Sequence, residues 1–132
     1  MSQDLEQIMR DGYERFNRGD VDAVLELLDP RIEWWPASDE LVVEPYRGHE
    51  GYRRLYREAR EGVPDLQVEI EEVTVVADRA VACIRFFGRG RESRAPVEVR
   101  ETHVARMRGG KLVEVREYRT KEEALRAVAK SE

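Results

Sequence analysis

Residues 101–118 read "ETHVARMRGGKLVEVREY", in which apolar and polar side chains alternate on both sides of a Gly-Gly pair. Alternation with a period of two predicts two β-strands, and the glycine pair predicts the tight turn between them. Glu101, His103 and Glu117 occupy alternating positions among alanine, valine and methionine side chains. Whether these three ionisable groups face solvent or a cavity depends on how the two strands pair.

Two turns are compatible with this stretch. A two-residue Gly-Gly turn would pair Met107 with Leu112. A three-residue loop, with Gly110 as the left-handed bulge residue, would instead pair Glu101 with Glu117. We prefer the three-residue loop because it collects the ionisable side chains at one end of a strand face and the apolar ones near the turn. Strands that enter a pocket are expected to show this pattern.

The preferred register sorts the side chains into two faces, because cross-strand partners share a face. One face carries Glu101, His103, Ala105, Val113, Val115 and Glu117. The opposite face carries Arg100, Thr102, Val104, Arg106, Leu112, Glu114, Arg116 and Tyr118. In the alternative interpretation the first face is solvated, and Arg100 or Arg116 neutralises the two glutamates.

The N-terminal part of the chain has the spacing of helices. A first helix is predicted within residues 4–20, with Ser2 as its cap and Gly19 as its left-handed end. Asp20 caps a second short helix, which Asp29–Pro30 ends because the residue before a proline disfavours helical backbone.

The rest of the chain is predicted to be mainly strands. Residues 31–36, "RIEWWP", predict a short strand, and a third helix runs from near His49 to Arg60. The capping box "TKEE" starts the last helix at Thr120. A bulge is expected at "EEV", where the alternation changes phase. Period-two alternation predicts strands at 66–77, 79–89, 96–108 and 111–119.

This order of elements predicts a single domain over residues 1–132 in the α+β class. Helices packed on one side of a strongly bent antiparallel sheet would form a cone with a hollow at its open end. Such a hollow is a site for a small molecule.

Composition excludes several classes of function. The net charge of −5 and the pI near 5.3 argue against nucleic-acid and anionic-membrane partners, because phosphate binding requires clustered cations. No apolar run approaches the ~20 residues of a membrane span, and the N-terminus lacks a signal peptide, so we expect a cytoplasmic protein. The single Cys83 and two distant histidines predict neither a disulfide nor a metal site, and no nucleotide motif suggests a cofactor.

Aromatic residues are the natural lining of such a hollow. Trp34 and Trp35 lie on opposite faces of the first strand, so one of them should face the hollow. The candidate lining residues are Trp35, Tyr13, Phe16, Tyr46, Tyr56, Phe86 and Val115.

Three segments, "FNRGDVDAVLELLDPRIEWWP", "YRGHEGYRRLYRE" and "GGKLVEVREYRTKEEAL", resemble the nuclear transport factor 2-like superfamily, in particular its SnoaL-like branch of polyketide cyclase-like and ketosteroid isomerase-like proteins. The resemblance covers nearly the whole chain. It implies a cone-shaped α+β fold, a deep apolar pocket and frequent homodimers. Because this fold hosts many activities and also non-catalytic modules, it implies no single reaction.

The resemblance to ketosteroid isomerase is incomplete at the level of residues. Trp35 takes the place of the base aspartate before a proline, and the helix-one tyrosine falls near Gly12, one residue from Tyr13. The second acid falls at His103, or at Thr102 if the turn is counted differently. Steroid isomerisation by that set of residues is therefore not expected.

The last strand resembles two other branches. In limonene epoxide hydrolase the motif "RDYFD" is similar to "REYRT" here, so Glu117 takes the position of one catalytic aspartate. Phe86 and Ile84 stand near the other aspartate and the arginine, which leaves that triad incomplete. SnoaL-type cyclases combine an acidic residue on this part of the sheet with a histidine, as Glu117 and His103 would do here.

Two functions remain open at this stage. In the first, the protein is a cofactor-free isomerase, cyclase, dehydratase or hydrolase of an apolar compound. Glu117 would be its base or acid, His103 its partner or an oxyanion donor, and Glu101 a tuning group. In the second, it is a ligand-binding or dimerisation module without turnover. Apolar residues on the outer strand face, Val104, Leu112 and Tyr118, predict a homodimer through that face.

Overall fold

The computed structural model describes residues 2–38 and 43–131, which form four helices and six strands. The helices are α1 (Ser2–Asn17), α2 (Val21–Leu25), α3 (Gly48–Glu61) and α4 (Lys121–Ser131). The strands are β1 (Leu28–Trp35), β2 (Tyr46–Arg47), β3 (Gln67–Val76), β4 (Arg79–Arg89), β5 (Pro96–Arg108) and β6 (Lys111–Tyr118). The predicted α+β class is confirmed.

All six strands belong to one sheet, in the order β2-β1-β6-β5-β4-β3. The last four strands form the predicted antiparallel meander, and the expected bulge in β3 lies between Ile70 and Glu72. The first strand departs from the expected antiparallel sheet, because β1 runs parallel to β6. This parallel pairing decides which side of β1 faces the interior.

The helices begin and end largely where their sequence signals predict. Gly19 has a φ of +76°, and the Asp20 carboxylate accepts a hydrogen bond from the Ala23 amide at 3.1 Å as the cap of α2. The prediction that α2 extends to Asp29–Pro30 is wrong, because Leu28 already pairs with Leu112 as part of β1. None of the helices in the described ranges combines the length and apolar composition of a membrane span.

The hairpin between β5 and β6 corrects the preferred register. Arg108 pairs with Lys111 across a two-residue turn whose two glycines both have positive φ, as a type I′ turn requires. The register then shifts by one residue, because Val113 is an extra residue in β6. Beyond this bulge His103 pairs with Glu117, so Glu101 and Glu117 are not directly opposite each other.

The bulge also exchanges two apolar side chains between the faces of the sheet. Leu112 was expected on the outer face, but it is 5% exposed and packs in the main core. Val113 was expected on the inner face, but it borders an outer depression beside Arg106 and Glu114. An extra residue reverses the alternation between itself and the turn, which is why the prediction failed here.

Helices pack on both faces of the sheet, so the expectation of helices on one side only is wrong. The inner face, defined as the one covered by α1 and α3, forms the main core. On the outer face, α4 places Ala124 and Val128 against Val81 and Val104 in a second, smaller core, which Tyr118 borders. The apolar residues that motivated the homodimer are therefore covered within the chain, and the homodimer stays a prediction.

Candidate active site

A cavity of about 310 Å³ lies between the inner face and the helices α1 and α3. Aromatic and aliphatic side chains form most of its wall, whereas three ionisable side chains meet at one place. The wall residues are Tyr13, Phe16, Trp34, Tyr52, Leu55, Tyr56, Ala59, Val63, Leu66, Phe86, Val97 and Val99. The ionisable residues, which we call the inner cluster, are Glu101, His103 and Glu117.

His103 is the centre of the inner cluster. Its side chain is fully buried, and both ring nitrogens have partners. Nδ1 lies 2.7 Å from the Tyr13 hydroxyl, and Nε2 lies 3.1 Å from Oε1 of Glu101 and 3.8 Å from Oε2 of Glu117. One imidazole nitrogen is thus aimed at two carboxylates.

Tyr13 determines which nitrogen of a neutral His103 carries the proton. Burial, with the nearby Glu117 charge as the second cause, raises the pKa of Tyr13 well above its ordinary value. The hydroxyl therefore keeps its proton and donates a hydrogen bond to Nδ1. The proton of a neutral His103 is then on Nε2, which donates a hydrogen bond to Glu101. A protonated imidazole would keep the same contacts, with Nδ1–H donating to the hydroxyl oxygen.

Glu117 is held by two N–H donors, one from β1 and one from the segment that follows it. The indole Nε1 of Trp34 donates to Oε2 at 2.6 Å, and the Ala37 amide donates to Oε1 at 3.3 Å. The Glu117 side chain is 13% exposed. Hydrogen bonds from N–H groups to a carboxylate are stronger than those between neutral groups, so this side chain is firmly positioned.

Glu101 is held more loosely. It pairs with Ile84 of β4, its side chain is 22% exposed, and its hydrogen bond comes from His103 at 3.1 Å. The two glutamates of the inner cluster therefore differ: one is fixed by β1 and the other depends on the histidine.

The arginines that the alternative interpretation assigned to the glutamates face outward. Arg100 bonds to Glu71 at 2.9 Å and to Glu98 at 2.7 Å. Arg116 lies 4.5 Å from the centre of the Trp35 ring and 3.3 Å from Glu114. Across residues 2–38 and 43–131, no arginine or lysine forms an ion pair with either glutamate of the inner cluster.

The family model of the SnoaL-like domain matches residues 9–115. The chain belongs to the SnoaL-like domain family. No curated protein matches the chain. The family assignment confirms the resemblance that the sequence suggested.

Solved structures of low sequence identity share this SnoaL-like fold. An NTF2-like protein of unknown function from Burkholderia pseudomallei K96243 is 20% identical, with a TM-score of 0.76 over 93% of this chain and 95% of that one. A candidate SnoaL-like polyketide cyclase from Jannaschia sp. CCS1 is 21% identical, with a TM-score of 0.75 over 95% of this chain and 90% of that one. At such identities the likeness shows the fold and leaves the activity open.

Four of the predicted lining residues, Tyr13, Phe16, Tyr56 and Phe86, do lie at the wall of the SnoaL-like cavity. Tyr13 does more than pack, because its hydroxyl reaches His103, from which it is separated by 90 positions in the sequence.

Three predicted lining residues lie elsewhere. Trp35 is on the outer face because the parallel pairing sets it beside Arg116, while Trp34 is set beside Val115 and faces inward. Tyr46 is directed at α3, where its hydroxyl donates to Glu58 at 2.6 Å. Val115 is 1% exposed and packs in the core beside a separate void of about 20 Å³.

The sequence pattern did not identify the inward tryptophan or several wall residues of α3. Trp34 was recognised as one of two alternatives, and only the pairing of β1 with β6 selects it. Tyr52 is 5% exposed and contacts the Trp34 ring at a centroid distance of 5.4 Å. Its helical spacing with Leu55 and Tyr56 was the available signal for a cavity wall.

The inner cluster also has the donor atoms of a metal site. One ligand atom from each of Glu101, His103 and Glu117 lies within 4.8 Å of the other two. The sequence predicted no metal site because its two histidines are far apart, but the fold supplies carboxylates instead of a second histidine. Mixed imidazole and carboxylate ligands suit several divalent ions.

Proposed function

We propose that the protein is a cofactor-independent enzyme of SnoaL-like type that transfers protons on an apolar compound. The observation that carries this proposal is the position of the inner cluster, where His103 faces two carboxylates in an aromatic cavity without a neutralising arginine among the described residues. Positioned carboxylates and imidazoles are the usual groups for general acid–base catalysis.

The hydrogen bonds favour Glu101 as the group that exchanges a proton with the substrate. Both oxygens of Glu117 accept N–H donors, from Trp34 of β1 and from Ala37 just after it, whereas Glu101 is bonded through Oε1 to His103. This reverses the roles expected from the sequence, in which Glu117 was the acid or base. Glu117 would instead provide a firmly positioned negative charge beside His103.

The proposed step is a proton shuttle. A carboxylate oxygen of Glu101 removes a proton from a carbon next to a carbonyl group, and the electron pair of the broken C–H bond moves into the carbonyl. Returning the proton to another atom of the same substrate would complete an isomerisation. The Nε2–H of His103 stabilises the Glu101 carboxylate before it takes the proton and again once the proton has been returned to the substrate.

The cavity limits the size of the substrate. A cavity of about 150 Å³ lined by apolar side chains accommodates benzene. The volume of about 310 Å³ found here therefore suits a body of two or three fused rings. Flat apolar compounds would stack on the aromatic wall.

A generic base reaction tests this proposal without knowledge of the natural substrate. The ring of 5-nitrobenzisoxazole opens when a base removes its C3 proton and the N–O bond breaks, which releases a coloured phenolate. We expect wild-type protein to accelerate this reaction above acetate at equal concentration, and Glu101→Gln to lose about 100-fold of the acceleration. The matched control is Glu114→Gln on the outer face of β6, which should keep the wild-type rate.

The same assay separates the enzyme from a binding module. A non-catalytic protein with a functional pocket would bind the benzisoxazole without accelerating its decay. Equal rates for wild type, Glu101→Gln and Glu114→Gln would contradict the proposed base. If only Glu117→Gln lost the rate acceleration, the base would be Glu117 and not Glu101.

A further inference from the structure

The charges around the cavity are unbalanced. Among its lining residues in the described part of the chain there is neither lysine nor arginine, but there are two glutamates. Tyr13 and Tyr52 remain neutral, because burial raises the pKa of both hydroxyls. His103 can offset one of the two carboxylates at most.

An unbalanced charge in a buried site is costly unless a counter-charge joins it. The Trp34 and Ala37 N–H groups provide dipoles to Glu117 but no charge. With both carboxylates ionised, a negative charge remains in the inner cluster even when the imidazole is protonated. A positively charged group of a ligand would complete the site.

The aromatic rings next to the inner cluster suit an organic cation. The ring centres of Trp34, Phe86 and Tyr13 lie 5.8, 5.9 and 6.0 Å from that of His103. Cations are attracted to the faces of such rings. Carboxylates and aromatic rings therefore lie together around His103, where a ligand group would meet it.

The end of the cavity away from His103 is aromatic and lies next to a positive charge instead of negative ones. Phe16 contacts Phe86 at 6.4 Å and Tyr56 at 5.3 Å between ring centres, which continues the wall away from His103. The Arg60 guanidinium lies 4.9 Å from the centre of the Phe16 ring and 4.8 Å from that of Tyr56. A second cation is disfavoured there, so a ligand would place its apolar body at this end.

We propose that the cavity binds a lipophilic amine, with its ammonium group between Glu101 and Glu117 and its ring body along Phe86 and Phe16. This inference rests on the proposed function, because it names the class of compound that the same cavity would take. It also excludes anionic acids as good ligands, since they would meet the two carboxylates.

An ammonium group matches the inner cluster better than a metal ion does. A carboxylate oxygen can accept an ammonium hydrogen bond while it keeps its bond from Trp34 or His103, because each carboxylate offers about four acceptor positions. A metal ion would need the lone pair of His103 Nε2. The proton would then have to move to Nδ1 and the bond to Glu101 would be lost.

Three ligands with one ring system test the charge preference. They are 2-naphthylmethylamine, 2-naphthylmethanol and 2-naphthoate, measured by titration calorimetry at neutral pH against the wild-type protein. We expect the amine to bind about tenfold more tightly than the alcohol, and the carboxylate to bind more weakly than both. Glu101→Gln and Glu117→Gln should each reduce the preference for the amine, whereas Glu114→Gln should retain it.

Each other outcome contradicts a defined statement. Equal binding of the three ligands, or best binding of the carboxylate, would overturn the amine proposal while leaving the cavity as a binding site. Binding of none of them would overturn the proposed cavity function as well. If Zn²⁺, Mn²⁺ or Mg²⁺ alone bound to the inner cluster at micromolar concentration and displaced the amine, the missing cation would be inorganic. Thermal melts of both glutamine variants ensure that folded protein is compared.

Discussion

The two faces of the hairpin between β5 and β6 both carry glutamates, but in different surroundings. On the outer face, Arg100, Arg106 and Arg116 pair with glutamates at the surface. On the inner face, Glu101 and Glu117 receive N–H donors and face an aromatic cavity. Alternation with a period of two can separate the faces, but only the helices that cover them decide which charges become a site.

The largest expected difference between the faces is in stability. His103 is fully buried and bonds to Tyr13 and Glu101, so His103→Ala leaves a hole and an unpaired hydroxyl. We expect its free energy of unfolding to fall by about 2–4 kcal/mol in urea denaturation. Arg100→Ala on the outer face should change it far less, since exposed ion pairs contribute little. Similar losses of unfolding free energy for His103→Ala and Arg100→Ala would contradict the expected difference between the two faces.

A smaller difference is expected between two glutamates of the same strand. Glu117→Gln keeps one acceptor oxygen but turns an amide N–H₂ toward one of the donors, Trp34 or Ala37. It should destabilise the protein by about 1–2 kcal/mol. Glu114→Gln should cost less, because its partners Arg106 and Arg116 are at the surface. Thermal melts that show Glu117→Gln unchanged or stabilised would contradict the hydrogen bonds described here.

The smallest expected difference is between wild type and Tyr13→Phe, in how their free energy of unfolding falls at alkaline pH. The pKa of Tyr13 in the folded protein is raised above the ordinary value of 10.0, so the unfolded chain loses this proton first as the pH rises. The resulting stability is present below pH 10.0 and is lost as the pH rises toward the folded value. Tyr13→Phe should therefore show a shallower loss of unfolding free energy above about pH 10. Parallel curves for wild type and Tyr13→Phe would contradict the shift.

The predictable part of the molecule is the part governed by local pattern. Period-two alternation predicted β3 to β6, and the same parity placed Glu101, His103 and Glu117 on one face. The register was not predictable, because the extra residue Val113 changes the alternation near the start of β6, a strand that also pairs with β1.

The missed parts of the site depend on long-range pairing. Trp34 and Trp35 are chemically alike, and only the parallel contact with β6 turns the first inward. The bond between Tyr13 and His103 joins a helix to a strand 90 positions away, which no local pattern encodes. The alternative in which Arg100 or Arg116 neutralises Glu101 and Glu117 is wrong, because both arginines bond to other glutamates on the outer face.

The central claim is that the inner cluster and the aromatic cavity form one site. The most direct test is inhibition of the 5-nitrobenzisoxazole reaction by 2-naphthylmethanol, a neutral compound whose effect does not depend on the charge preference of the cavity. We predict competitive inhibition, in which KM rises with inhibitor concentration and kcat is unchanged. A protein-dependent rate that persists at saturating 2-naphthylmethanol would place the base outside the cavity and contradict the account.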